Sequence, residues 1–226
     1  MLFVNELAGF GDSPQLTTAT FLSSSTDTVD RTNYTFTINL GPDDPLRYIV
    51  VAAHGVHNAA ATLNGVSIAG VSGTQIKNIV AGTTRIAALY AAIVPSGATG
   101  DIVLNFSTSI GRAGYGAWSL LSSGGDATSP YSSGGTTALS GGDLTLNLAT
   151  PSNGVAIAAV LQFATAGPVA SSWSGVSEDY DTSYSEASTQ GQSGAHVATS
   201  GSTLTITDTI TNASAGNVAL VAASFK

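Results

Sequence analysis

The sequence has no cysteine, and charged residues make up only 9% of the chain. Without thiols it can form neither a disulfide framework nor a thiolate metal site, so packed side chains must stabilise the fold. Six basic residues face fourteen acidic ones and no basic cluster occurs, which argues against nucleic acid as a partner. With 226 residues, 43% of them hydrophobic, the chain is long enough to bury a sizeable core.

Long apolar runs and helical periodicity are missing as well. No stretch approaches about 18 apolar residues, so we expect no transmembrane helix and no membrane insertion. The N-terminal residues lack a basic segment and include Glu6, which argues against a secretory signal. No apolar pattern at i, i+3, i+4 and i+7 continues for three turns, which argues against a helical core.

The sequence does contain the pattern of short β-strands. Residues 35–40 alternate between polar and apolar side chains, as a half-buried strand does, whereas residues 48–53 form an apolar run typical of a buried strand. Turn residues recur about every 8–12 positions. The dipeptide Asn64-Gly65 predicts a tight hairpin. We therefore predict an all-β protein with a β-sandwich or jelly-roll-like fold of about twelve strands.

This strand pattern occurs twice along the chain. Four segments of the first half have counterparts of similar pattern, in the same order, in the second half. The pairs are residues 37–40 with 145–148, 48–53 with 154–159, 102–106 with 204–208, and 113–120 with 217–224. We interpret the chain as two pseudo-repeated halves.

The halves comprise residues 21–121 and 143–226, preceded by an N-terminal arm, residues 1–20, and joined by a Ser/Gly-rich connector, residues 122–142. Each half either forms its own sandwich or supplies strands to one larger sandwich. The many small Ala and Gly side chains favour the larger one, because separate cores would be thin.

Candidate ligand-binding residues are concentrated in one acidic run. Glu178, Asp179, Tyr180 and Asp181 follow Trp173, and carboxylates beside aromatic rings can bind a sugar or collect Ca²⁺. Alternate residues of a strand point to opposite faces, so only Glu178 with Tyr180, or Asp179 with Asp181, could converge. A solvated strand edge, with charges that discourage edge pairing, explains the same run without a ligand.

The rest of the chain shows no catalytic or metal motif. His54 and His57 have the spacing of a metal-binding pair, but no cysteine and no nearby carboxylate accompany them, so we predict no metal site. The serines lack a nucleophile elbow, and the glycine-rich stretches lack the lysine and helix of a phosphate loop. We therefore predict no catalytic residues and no cofactor, and we expect that the protein is not an enzyme.

A longer succession of strand and turn motifs resembles small β-rich virion structural proteins of tailed bacteriophages, especially marine ones, and related particles. The resemblance covers most of the chain. It rests on residues 21–28, 34–36, 47–52, 97–106, 116–120 and 172–181. It implies a virion component, assembled in the host cytoplasm, whose partners are other virion proteins and copies of itself. It brings no catalytic residue and does not distinguish head, tail and fibre.

Two functions from different classes follow. The first is a non-enzymatic decoration, spike or tail-fibre subunit that acts through subunit contacts in a homo-oligomer. The second is a carbohydrate-binding module that uses Trp173 and Tyr180 for attachment to host glycans. A glycan hydrolase would need a second acidic group paired with the first, and the sequence shows none.

Overall fold

The computed structural model describes residues 16–57, 60–122, 125–138, 143–163, 168–184, 190–211 and 217–226, in which every regular element is a β-strand. The all-β prediction is confirmed. The strands are β1 (Thr18–Asp27), β2 (Arg31–Asn39), β3 (Arg47–Val56), β4 (Leu63–Ile68), β5 (Val71–Ser72), β6 (Thr74–Ala81), β7 (Arg85–Ile93), β8 (Thr99–Ile110), β9 (Arg112–Leu121), β10 (Ser132–Ala138), β11 (Leu144–Ala149), β12 (Ser152–Phe163), β13 (Ala170–Ser174), β14 (Ser177–Ser183), β15 (Gln190–Ser200), β16 (Thr203–Thr211) and β17 (Val218–Phe225). The described part of the chain has no helix long and apolar enough to cross a membrane.

These strands form four antiparallel sheets stacked as layers. Inner sheet 1 has the order β1-β9-β3-β7-β6 and outer sheet 1 the order β2-β8-β4-β5. Inner sheet 2 has the order β10-β17-β12-β15-β14 and outer sheet 2 the order β11-β16-β13. A first core lies between outer and inner sheet 1, a central core between the two inner sheets, and a second core between inner and outer sheet 2. The protein therefore consists of two sandwiches that pack against each other.

The position of each sheet explains its sequence pattern. The inner sheets are covered on both faces, so β3, β7, β12 and β17 are almost continuously buried and appear in the sequence as apolar runs. The outer sheets have one face in solvent, so β2 and β16 alternate between buried apolar and exposed polar residues. The described residues form seventeen strands instead of about twelve, because short or glycine-rich segments such as β5 and β10 also pair.

Both halves have the same sheet order. When β1, β9, β3, β7 and β6 are matched with β10, β17, β12, β15 and β14, the inner sheets correspond strand by strand. The order β2-β8-β4 likewise corresponds to β11-β16-β13. Each half thus has its own sandwich, and the central core joins the two.

Two of the four segment pairs found in the sequence match residues that point to opposite faces of corresponding strands. Ile49 lies in the first core, but its counterpart Val155 lies in the central core. Trp118 lies in the central core, but its counterpart Ala222 lies in the second core. A slip of one residue reverses the face of a strand, so these two alignments must shift by an odd number of residues.

The arm and the connector both overlap strands. β1 begins at Thr18, within the arm, and pairs with β9 at the edge of inner sheet 1. β10 lies within the connector and forms an edge of inner sheet 2. Residues 1–15 of the arm lie outside the described residues.

The tight turn predicted at Asn64-Gly65 is wrong. Both residues lie inside β4, where a register shift between Leu63 and Gly65 marks a β-bulge. The hairpin from β4 to β5 turns instead at Ala69 and Gly70, whose φ angles of 51° and 81° fit a type I′ turn. Because alanine rarely adopts a positive φ, no turn signal marks this position in the sequence.

A buried arginine organises the loops at one end of inner sheet 1. Arg47 is fully buried, and its guanidinium group donates hydrogen bonds to main-chain carbonyl oxygens. The acceptors are those of Leu40, Gly41, Pro42, Val94 and Gly97, at 2.6–3.2 Å. The carboxylate of Asp43, 4.0 Å away, is exposed. Carbonyl dipoles therefore supply most of the compensation for this buried charge.

Candidate functional site

A β-bulge in β14 divides the acidic run between the two faces of inner sheet 2. The register with β15 shifts between Glu178 and Tyr180, so Asp179 is the extra residue. Asp179 faces inner sheet 1 and bonds to a tryptophan of β9, whereas Asp181 faces outer sheet 2 and bonds to the main chain of β13. The alternation that would bring Asp179 and Asp181 to one face is therefore interrupted.

Asp179 links the two halves of the protein. Its Oδ2 atom accepts a hydrogen bond from the indole Nε1–H of Trp118 at 2.7 Å. Nδ1 of His196 lies 2.8 Å from Oδ1 and 2.7 Å from Oδ2 of the same carboxylate. Trp118 belongs to the first half and is fully buried, so its N–H group needs an acceptor inside the protein. Asp179 supplies it and thereby has a structural role.

Tyr180 is a core residue of the contact between the halves. Its side chain is only 7% exposed, and its ring stacks on Phe21 with centroids 5.5 Å apart and tilts against Trp118 at 5.9 Å. Gly116 and Gly194 leave room for the ring, because a Cβ atom at either position would collide with it. Burial raises the pKa of Tyr180 well above its ordinary value. Its ring is therefore not presented to a ligand in solution.

Trp173 is half-buried at the border of the second core. Its indole N–H donates to the hydroxyl of Ser193 at 2.8 Å, and this hydroxyl donates to the carbonyl oxygen of Tyr180 at 2.8 Å. Trp173, on outer sheet 2, and Tyr180, whose ring lies in the central core, are thus on opposite sides of inner sheet 2 and do not form one aromatic platform.

Asp181 is exposed and belongs to a polar group at the edge of the second sandwich. Its Oδ2 atom accepts the main-chain N–H of Ser171 at 2.7 Å, and its Oδ1 atom accepts the side-chain amide of Gln162 at 3.2 Å. The same amide donates to the Ser171 hydroxyl at 2.6 Å. Partial desolvation of its carboxyl group raises the pKa of Asp181, and the hydrogen bonds from Ser171 and Gln162 oppose this rise. Gln162 itself is fully buried, and its Oε1 atom has no partner among the described residues.

Asp208, which the sequence analysis did not single out, is buried beside this group. It lies on the inward face of β16, which otherwise carries apolar side chains, and it is fully buried. The matching face of β8 has only apolar residues at the corresponding level: Ile102, Leu104 and Phe106. An aspartate at an apolar position of an alternating strand is the signal that could have identified it.

The surroundings of Asp208 favour its protonated form. Within the described residues neither carboxyl oxygen has a hydrogen-bond partner. Burial raises the pKa of Asp208 to about 7, and the nearby hydroxyl of Ser171 opposes the rise. Three carboxylates reinforce it, those of Asp181, Glu178 and Asp143. The carboxyl group of Asp208, in the second core, therefore keeps its proton to a higher pH than an ordinary aspartate does.

Glu178 completes the acidic side of the second sandwich. It is exposed, and its pKa is raised by partial burial and then by the charges of Asp181 and Asp179. In the described ranges no three His, Cys, Asp or Glu side chains are grouped so that they could hold a metal ion. Glu178, Asp181 and Asp208 thus all have a raised pKa.

A second hydrogen-bonded link between the halves involves His54. Its Nδ1 atom lies 3.0 Å from Oε1 of Gln192, whose amide nitrogen donates to the carbonyl oxygens of Ser25 and Tyr115. This arrangement turns Oε1 towards His54, so Nδ1 carries the proton. Burial lowers the pKa of His54 to about 4. His57 lies beyond the end of β3 and lines a separate surface pocket, so the two histidines do not share one site.

Comparison with protein-family models finds no match for the chain, and comparisons with curated proteins and with solved structures likewise find none.

Proposed function

We propose that the protein is a non-enzymatic structural component of a tailed-phage-like virion, a decoration, spike or tail-fibre subunit that acts through contacts with copies of itself and with other virion proteins. The observation that carries this proposal is the solvent face of outer sheet 2, which we call the threonine face. Its residues are Thr145, Asn147, Ser172, Ser174, Thr203, Thr205, Thr207, Thr209 and Thr211. The resemblance of the strand and turn motifs to virion proteins supports the same assignment.

The threonine face is regular and carries no charge. Every solvent-facing residue of β16 is a threonine, and the register places Thr207 between Thr145 and Ser174. The hydroxyl groups of Thr145 and Thr207 lie 3.2 Å apart, and Thr205 donates to Asn147 at 2.8 Å. Branched side chains on a paired strand have few rotamers to lose on association. Such a face can bind a flat neighbour with little loss of side-chain entropy.

The neutrality of this face suits self-association of an acidic chain. The net charge is −8, so two copies repel each other unless charged groups are kept away from the contact. Fully buried parts of protein interfaces are depleted of charged residues, because desolvation of charge is costly. The threonine face meets this condition.

The area of the threonine face indicates how it would be used. β16 has nine residues, so the face is roughly 30 Å long, and with three strands it covers about 400 Å². A standard interface buries about 800 Å² on each partner. This face therefore supplies about half of a stable interface and gains strength from multiple contacts in an assembled particle.

A glycan-binding role is less well supported by the geometry. Tyr180 is buried between the halves, and the indole N–H of Trp173 is bonded to Ser193. A glycan array with the wild type and Trp173→Ala tests this alternative. Binding by the wild type that the substitution abolishes would favour it over the structural role.

The proposal is tested by mass spectrometry of purified particles combined with a charge placed on the threonine face. We expect the chain at a fixed copy number in wild-type particles and its loss from particles when Thr207→Arg is introduced. Thr35→Arg, on the exposed face of outer sheet 1, is the matched control and should be incorporated. Absence of the wild-type chain from particles, or equal incorporation of both variants, would contradict the proposal.

A further inference from the structure

Both Asn-Gly dipeptides of the sequence, Asn64-Gly65 and Asn153-Gly154, lie at β-bulges. Register shifts make Asn64 the extra residue of β4 opposite β8, and Asn153 the extra residue of β12 opposite β15. The extra residue of a bulge is left unpaired, so its main chain rotates at a lower cost than that of a paired residue. Both asparagines are exposed to solvent. The two dipeptides therefore start from similar local structures.

An asparagine followed by glycine can lose its side-chain amide without an enzyme. The main-chain nitrogen of the glycine gives up its proton to a base and bonds to Cγ of the asparagine, the bond from Cγ to Nδ2 breaks, and ammonia leaves. Water then opens the resulting succinimide ring to aspartate or isoaspartate. Glycine favours the attack because, without a Cβ atom, its main chain is free to rotate and its nitrogen is unshielded. Such a reaction in a folded protein requires that the Asn-Gly peptide group can rotate.

The surroundings of Asn64 leave its peptide group room to rotate. β4 pairs with β8 on one side, whereas on the other side β5 pairs, within the described residues, only with Ser67 and Ile68. A Cβ atom added to Gly65 would meet no atom within 4 Å. The exposed side chain of Asn64 also gives water and base access to Cγ.

A threonine hydroxyl is bonded to the side-chain carbonyl group of Asn64. Oγ1 of Thr62 donates to Oδ1 of Asn64 at 3.1 Å. Thr62 is held in turn by Ser107, whose main-chain N–H donates to the Thr62 carbonyl oxygen at 2.9 Å and whose hydroxyl accepts the Thr62 N–H at 3.0 Å. Negative charge develops on Oδ1 when the nitrogen attacks Cγ, and a donor already in place there stabilises that charge. Thr62 therefore favours the reaction at Asn64.

The second dipeptide is restrained by its neighbours. The carbonyl oxygen of Asn153 accepts the main-chain N–H of Thr17 at 2.9 Å, and this carbonyl belongs to the peptide group that would have to rotate. β12 lies between β15 and β17, and a Cβ atom on Gly154 would collide with the carbonyl oxygen of Phe225. Rotation at Asn153 would therefore break a main-chain hydrogen bond in a crowded part of the fold.

We propose that Asn64 is a modification site, at which attack by the Gly65 nitrogen deamidates the side chain, while the fold protects Asn153 from the same reaction. The product is a carboxylate, in aspartate or isoaspartate, on the solvent face of outer sheet 1. It adds one negative charge to a chain whose net charge is −8. This site is independent of the threonine face, which lies on outer sheet 2, and of the proposed structural role.

The test follows both asparagines of the full chain during incubation in warm, mildly alkaline buffer. Samples are digested at acidic pH, where the reaction is slow, and tandem mass spectrometry measures the conversion of amide to acid at each residue. In the folded protein we expect Asn64 to convert at least tenfold faster than Asn153. In guanidinium chloride, where the fold restrains neither residue, the two rates should agree within about twofold.

Two variants test the groups assigned to the reaction. Gly65→Ala, whose added Cβ atom has open space, should fold and should slow the conversion of Asn64 in both the folded and the unfolded chain. Thr62→Val should slow it several-fold in the folded protein but not in guanidinium chloride, because only the fold holds the hydroxyl on Oδ1. Thr35→Val, on the exposed face of outer sheet 1, is the matched control and should convert Asn64 at the wild-type rate.

Two outcomes with the wild type would overturn the site. One is conversion of Asn153 as fast as that of Asn64 in the folded protein, and the other is an intact Asn64 over a period in which the unfolded chain reacts. A wild-type rate in Thr62→Val would overturn the role assigned to the hydroxyl group. The comparison of the two asparagines in the wild type decides the proposal even if a variant does not fold.

Discussion

Replacing Asp208 with asparagine should make the free energy of unfolding less dependent on pH. In the wild type, the folded state holds a proton on Asp208 up to a pH of about 7, whereas an unfolded aspartate loses it near its ordinary value of 3.8. Between these two values the folded state binds more protons than the unfolded state. The contribution of the Asp208 proton to the free energy of unfolding is therefore fully present below pH 4 and is lost as the pH rises through 7.

The size of the effect follows from the difference in pKa. A shift of about three units corresponds to about 4 kcal/mol of stability lost between pH 4 and pH 8. The charges of Glu178 and Asp181 on β14 and of Asp143 before β11 face Asp208 and are part of this shift. The neutral amide of Asp208→Asn has no such proton to lose. The free energy of unfolding of Asp208→Asn, relative to that of the wild type, should therefore increase by about 4 kcal/mol from pH 4 to pH 8.

Urea unfolding followed by tryptophan fluorescence at several pH values measures this difference. Trp173 is a suitable probe because it is the cross-strand neighbour of Asp208. The exposed Asp101 of β8 provides the control, since Asp101→Asn on the surface should change stability by no more than about 0.5 kcal/mol. A free-energy difference between Asp208→Asn and the wild type that stays constant from pH 4 to pH 8 would contradict the raised pKa of Asp208.

Three further predictions concern buried groups of the first half. His54 has a pKa lowered to about 4, so its contribution to stability should fall by about 3 kcal/mol as the pH decreases from 6.5 to 4, opposite in sign to that of Asp208; the same urea experiment should show it as a pH-dependent difference between the wild type and His54→Gln. Arg47→Lys should lower stability by at least about 2 kcal/mol, because the compact ammonium cannot reach five carbonyl oxygens; an unchanged urea midpoint would contradict the bonding described. Gly116→Ala should destabilise by about 1–3 kcal/mol through collision with Tyr180, whereas Gly65→Ala, with open space around it, should be much milder, as thermal unfolding can show.

Much of the fold was predictable because periodicity reports the solvent exposure of each strand face. Apolar runs such as residues 48–53 correspond to inner strands, and alternation such as residues 35–40 corresponds to outer ones. The stacking of four layers was not predictable, because it depends on which long-range sheet faces meet. The local pattern also does not determine the register of a strand. Two of the four alignments between the halves therefore match residues that point to opposite faces of their strands.

The candidate site could be predicted only in part from the sequence, because the local pattern does not determine register. The acidic run was correctly located on one strand, but nothing in its composition marks the bulge that separates Asp179 from Asp181. Asp208 could have been noticed as an acidic residue in an apolar series. Arg85 and Arg112 stand at strand ends, where arginine is usually solvated, and only the cross-strand register reveals that both flank Val56.

Electron cryomicroscopy of purified particles can show whether this protein is a virion subunit. We expect density for the four stacked sheets at a fixed, symmetric position, with the threonine face covered by a neighbouring subunit. Particles that lack this density, or that contain the protein with the threonine face turned to solvent, would contradict it.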